Sequence, residues 1–185
     1  MKKISNRVRF VRSLVSILTM LPGLSVLHAE DNWTQFRGST GRGHSTAEDV
    51  PMTWTADSVV WKKTLKGEGQ SSPVNWGDRL FLTSASEDGN ERYVFCLDRK
   101  DGRILWEKTI ECASPEHPHN MNSYATPTCA TDGEHVVAFF GAGGLHCFDL
   151  EGKKGWSREL GAFPGPWGVA ASPIILDGLV IQNCD

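Results

Sequence analysis

The chain has 185 residues, with 19 basic and 22 acidic side chains for a formal net charge of −3, seven tryptophans, 19 glycines and five cysteines. Nowhere does the sequence gather a concentrated basic face, which excludes nucleic acid as a partner, since phosphate binding draws on clustered Lys and Arg. Abundant glycine beside many large aromatics suits short strands joined by tight turns.

Residues 1–29 read as a secretory leader. Lys2, Lys3, Arg7, Arg9 and Arg12 make a basic start without an acid, residues 14–27 are apolar around Pro22-Gly23, and Leu27-His28-Ala29 offers a cleavage site. The apolar run falls short of the ~20 residues a membrane helix needs, so no transmembrane span is expected after cleavage. Neither an Arg-Arg pair nor a cysteine at the cleavage site suggests another route. The expectation is Sec-type export, to a periplasm or beyond. Losing the leader leaves 14 basic against 22 acidic residues, an acidic surface.

Residues 30–66 read as a lead-in segment ending in a closing strand around Val59-Val60-Trp61-Lys62. From residue 67 one pattern recurs. Ser72-Pro73, Thr126-Pro127 and Ser172-Pro173, with prolines 54 and 46 residues apart, each open a short apolar stretch, a Gly/Asp turn and a second apolar run. The turns are Gly77-Asp78, Asp132-Gly133 and Asp177-Gly178. Paired runs about such turns predict β-hairpins, because Gly and Asp tolerate the positive φ that tight hairpins require. A second signature follows the first two hairpins. Asp98 leads through Gly102 to Trp106, and Asp149 through Gly152 to Trp156, the tryptophans 50 residues apart and Trp61 another 45 before them. The second copy is one residue shorter between Asp and Trp, so its turn must differ in detail. Each unit thus supplies four short strands. A lone twisted sheet cannot bury two apolar faces, so such units must stack, and one tryptophan per unit suits the seam.

Between the units lie the stretches that could carry chemistry. Residues 112–122 hold Cys112, His117, His119 and Met121, soft-metal donors whose spacing matches no firm metal motif, along a path made irregular by Pro115 and Pro118. Three readings stand: a plain turn-stabilising loop, a metal site, or contact with a ligand or partner through His119, Asn120 and Asn122. Trp167, held among Pro164, Gly165, Pro166 and Gly168, either stacks on a flat ligand or plugs the mouth of the stack. Residues 141–144, Gly-Ala-Gly-Gly, lack the strand-to-helix context and closing Lys-Ser/Thr of a phosphate loop and read as a hairpin turn. Cys96 and Cys147 hold matching positions in successive units and should not meet. Cys112 and Cys129 remain a candidate disulfide, and an odd count leaves at least one thiol without a partner within the chain.

The two Asp-to-Trp stretches resemble the Asp-x-x-x-Gly-x-x-x-Trp docking motif of the PQQ-like (quinoprotein-type) β-propeller repeat family, with Asp101 and Glu151 where that motif usually has Thr. The opening Trp33-Thr34-Gln35-Phe36-Arg37-Gly38 also resembles exported bacterial members of the group. The resemblance implies an all-β fold, a β-propeller of four-stranded antiparallel blades. On this reading residues 67–185 hold two full blades and a truncated third, an incomplete fragment of a seven- or eight-bladed ring. It implies that Asp98, Gly102, Trp106, Asp149, Gly152 and Trp156 dock blades and do not catalyse. No catalytic, cofactor-binding or metal-binding residue is assigned. The expected function is a non-catalytic binding or assembly scaffold without a cofactor, meeting a protein or small-molecule partner at the propeller face. The alternative is a fragment of a PQQ- and calcium-dependent alcohol or sugar dehydrogenase. Those enzymes often carry adjacent cysteines beside the quinone, and no Cys-Cys pair occurs here.

Overall fold

The computed structural model describes residues 32–48, 50–117 and 119–184, so the leader lies outside the described residues. Strands β1 (Val74–Trp76), β2 (Arg79–Ala85), β3 (Glu91–Asp98) and β4 (Ile104–Glu111) form one sheet in that order. Strands β5 (Ala130–Thr131), β6 (His135–Phe139), β7 (Leu145–Asp149) and β8 (Lys154–Arg158) repeat it, and β9 (Ile174–Leu176) pairs with β10 (Leu179–Ile181) as a third hairpin. Every pairing is antiparallel. The only helical pieces among the described residues are three-residue 3-10 turns at Ala56–Ser58 and Gly141–Gly143, and no described helix is long and apolar enough to cross a membrane.

The period-two alternation of side chains decides which strand lies where. β3 is buried on both faces: Val94 and Cys96 point one way, Tyr93, Phe95 and Leu97 the other. β4 alternates half-buried Trp106, Lys108 and Ile110 with exposed neighbours, as an outer strand should. The seam between the two sheets is a single apolar cluster in which Val74, Phe81, Val94 and Cys96 meet Val136, Ala138, Phe140 and Phe148. Burying each Phe stabilises the stack by roughly 1.5–3 kcal/mol. A second cluster, built on Val137, Phe139, Leu145 and Cys147, packs against Ile175 and Val180 of the third hairpin and includes Trp156. β1, β5 and β9 touch in succession. These first strands therefore converge on the axis while the fourth strands fan outward, which is the blade arrangement of a β-propeller.

The seam is pinned at the β7–β8 turn. Trp106 Nε1 donates to the Leu150 carbonyl at 2.8 Å, Arg79 Nη1 donates to the same oxygen, and Arg79 Nη2 pairs with Glu151 at 2.9 Å. Gly152, at φ 79°, lies under the Trp106 ring, where a Cβ would sit 2.7 Å from the indole. Trp61 repeats the contact on the first blade, donating to the Arg99 carbonyl at 2.9 Å with Gly102 beneath it. The aspartates shape the turns themselves. Asp98 accepts from the Lys100 amide, and Asp149 from the amides of Glu151 and Lys153. The one-residue difference between the copies is absorbed here: Gly102 N–H bonds back to the Asp98 carbonyl four residues away, and Gly152 N–H to the Asp149 carbonyl three away.

All five cysteines are unpaired, including Cys112 and Cys129. The reason is topological. Cys112 follows the outermost strand of one blade and Cys129 precedes the innermost strand of the next, and three inter-strand steps of about 4.8 Å separate such positions.

Candidate functional site

In an antiparallel meander, alternate connections fall at the same end of the sheet. The turns at residues 77–78, 99–103, 132–134 and 150–153 gather at one face, and the connections at 86–90, 112–129, 140–144 and 159–173 at the other. The second face, hereafter the loop face, holds all four candidate contact residues.

The connection after β4 has no periodicity of its own and is shaped by side chains. Gln70 Nε2 donates to the Met121 carbonyl at 2.7 Å, while Gln70 Oε1 accepts from the Ser123 amide at 2.8 Å and from the Thr126 hydroxyl at 2.9 Å. The Asn122 amide bonds the His119 carbonyl, and the Met121 amide donates to His119 Nδ1 at 3.2 Å. From this tight turn Asn122 Nδ2 reaches the Trp167 carbonyl at 2.7 Å, and the His119 ring lies against the Trp167 indole with centroids 4.5 Å apart. His119, Asn122 and Trp167, 45 residues apart in the case of the hydrogen bond, are thus one unit. Asn120 is exposed beside them, Met121 is 72% exposed and Trp167 60% exposed.

Beneath this surface sits an ion pair. Arg92 Nη2 lies 3.4 Å from Glu116 Oε2, both side chains buried, with the Tyr124 ring 4.4 Å from the guanidinium carbon and the Gly89 carbonyl accepting from Nη1. Burial pulls the Arg92 pKa down and the Glu116 carboxylate opposes it. The Glu116 carboxylate also abuts Gly141 of the second blade, leaving no room for a Cβ there. Arg92, Glu116, Tyr124 and Gln70 are absent from the sequence-based candidates. Arg92 carried a signal, a cation within an otherwise apolar strand, but its partner sits 24 residues away on an aperiodic loop.

Two cavities lie between the blades' outer strands and connecting loops. One of about 540 Å³ opens on the loop face between Pro115, Glu116 and His117 on one side and Phe163, Pro164 and Pro166 on the other. A groove of about 850 Å³ runs between β4 and β8, with Lys108, Lys154 and Arg158 on its rim and His146 in its wall. His146 Nε2 bonds the Gly143 carbonyl at 2.7 Å, so that nitrogen carries the proton, and burial lowers the imidazole pKa.

Among the described residues no three His, Cys, Asp or Glu side chains converge as a metal would require. Cys112 is buried, His117 is exposed and His119 is turned onto Trp167, so the soft donors of residues 112–122 point apart. Of the carboxylates near this face, Glu116 is held by Arg92, and Asp88 by Ser86 and Asn90.

Repeated four-stranded antiparallel sheets, stacked on apolar seams and converging on their first strands, define this chain as a β-propeller repeat protein. The family described as outer membrane protein assembly factor BamB matches residues 45–180. The match covers most of the sequence, and the chain belongs to this PQQ-like repeat family. Among solved structures it is similar to BamB from Moraxella catarrhalis, at 17% identity and TM-score 0.50, over 66% of this chain and 36% of that one. It is also similar to quinohemoprotein alcohol dehydrogenase ADHIIG from Pseudomonas putida HK5, at 17% identity and TM-score 0.55, over 89% of this chain and 25% of that one. At such identities the likeness shows the fold alone, and this chain spans only about a third and a quarter of those proteins. No curated protein sequence matches it.

Proposed function

We propose that this chain is part of an exported, non-catalytic scaffold that binds a protein partner through the loop face. The observation that carries the reading is the His119–Asn122–Trp167 unit, in which two inter-blade loops are locked together while the indole stays 60% exposed. A rigid, exposed aromatic loses little entropy on binding, which is why Trp dominates the energetics of many protein interfaces. Membership of the BamB family supports a protein as partner, and the leader-like residues 1–29 support export. A photo-crosslinking residue at Asn120 in the exported full-length protein is expected to yield discrete protein adducts that disappear with Trp167→Ala. The same probe at exposed Glu107, on the outer strand, should yield none. Adducts independent of Trp167, or none from Asn120, would remove the reading.

The likeness to a quinohemoprotein alcohol dehydrogenase over most of this chain favours a second reading, a piece of a quinone-dependent dehydrogenase whose cofactor is held elsewhere in a longer protein. PQQ with calcium would supply hydride acceptance there, and the blades described here would act as wall. Full-length protein reconstituted with PQQ and calcium should leave a redox dye unreduced in the presence of alcohols or aldoses. Turnover would overthrow the scaffold.

A further inference from the structure

The innermost strands of the two complete blades, β1 and β5, each pair with a strand on one side only, so the other edge presents backbone groups that no strand of its own sheet satisfies. Residues 32–34 lie along these two edges. The Asn75 amide on β1 donates to the Trp33 carbonyl at 2.9 Å, and the Trp33 amide returns a bond to Asn75 Oδ1 at 3.0 Å. Asn32 Oδ1 accepts from the Gly77 amide at 2.8 Å. One residue on, the Thr34 carbonyl accepts from the Thr131 amide on β5 at 2.8 Å. β1 and β5 belong to different sheets, so this three-residue segment is bonded to both blades across their seam.

The rest of the segment fixes it in place. The Trp33 indole packs on the apolar cluster of the same seam, and Gly38 closes over the ring, where a Cβ would come within 3.0 Å of it. The reversal between them places Arg37 at φ 66°, a left-handed conformation uncommon for a residue with a side chain, and is held by Gly38 N–H to the Gln35 carbonyl and Gly43 N–H to the Arg37 carbonyl. A loosely attached leading segment would have no cause to retain such a conformation.

We infer that Asn32–Trp33–Thr34 is an axial strap, a segment that binds the first two blades to each other and fills the edge positions at which a foreign strand would otherwise pair. Exposed inner edges invite strand addition and aggregation, and an internal occupant removes that hazard. This role does not depend on the identity of the partner on the opposite face.

Amide hydrogen exchange on the full chain, resolved at Asn75 and Thr131, tests it. Both amides should be protected, and deletion of residues 30–38 should speed their exchange at least tenfold while Phe95 and Val137, in the central strands, stay slow. Where the deletion speeds exchange everywhere, Asn75→Ala in the intact chain replaces it. That change removes one strap bond on the first blade and should speed Thr131, on the second, about fivefold relative to Val137. Fast exchange at both amides in the intact chain, or a Thr131 rate indifferent to the strap and to Asn75→Ala, would overturn the inference.

Discussion

Trp106 joins two kinds of stabilisation in one side chain. Its ring packs between Phe81 and Phe148, each about 6.0 Å away, and its N–H finds the Leu150 carbonyl. Removing the ring and removing the hydrogen bond should therefore give separable losses. Trp106→Ala is expected to lower stability by about 3 kcal/mol, the low end for a large aromatic because the residue is only half-buried. Trp106→Phe, which keeps most packing and loses the donor, should lower it by about 1 kcal/mol. Urea midpoints measure both, and equal losses would mean that packing contributes little. Gly152 tests the other side of the contact. An alanine there meets both a positive φ and the indole, so Gly152→Ala should cost more than about 1 kcal/mol in the same assay. The recurring Asp, Gly and Trp were legible in the sequence because they repeat. The acceptor, a leucine backbone carbonyl, was not, because any residue could have supplied it.

At the scale of the loop, residues 112–129 follow a path no local rule would choose, and the Arg92–Glu116 pair beneath it holds one end down. A buried cation without its counter-ion is costly, so Glu116→Ala should destabilise by about 3–5 kcal/mol, whereas replacing both residues by leucine should cost markedly less than the two single changes summed. A double-mutant cycle in denaturant measures the coupling. Additive losses would mean that the pair is incidental. The hairpins stand in contrast. The turns at Gly77-Asp78, Asp132-Gly133 and Asp177-Gly178 join β1 to β2, β5 to β6 and β9 to β10, and the apolar runs beside them are the strands. Turn chemistry and short apolar runs are local properties, so a sequence displays them.

At the scale of the whole molecule, stability should carry a pH signature that separates His146 from the carboxylates. Burial lowers the folded pKa of His146 below its ordinary value of 6.5, so the unfolded chain takes up the proton first. Its contribution is complete above about pH 6.5 and is lost as pH falls through the folded pKa. Asp98, held down by the Lys100 amide and then by Arg103, and Asp88, lowered to about 2 chiefly by the Ser86 hydroxyl, keep their contributions down to about pH 3.8 and lose them only as pH falls through their lower folded pKa. The melting temperature should therefore begin to fall as pH drops below about 6.5, and His146→Gln should flatten that limb while leaving the more acid one. Identical acid limbs in the two proteins would contradict the burial argument.

The sequence alone determined the all-β propeller architecture, the hairpin turns and the blade period, because each of these is written in neighbouring residues and then repeated. It could also mark residues 112–122 and the Trp167 loop as unusual. Only the tertiary structure decided that His119 and Asn122 close on Trp167, that Arg92 finds Glu116, that Cys112 and Cys129 stay apart, and that Asn32–Thr34 runs along two strand edges. Those contacts join segments of irregular backbone, and without a repeating dihedral pattern the direction of the chain accumulates from every residue between.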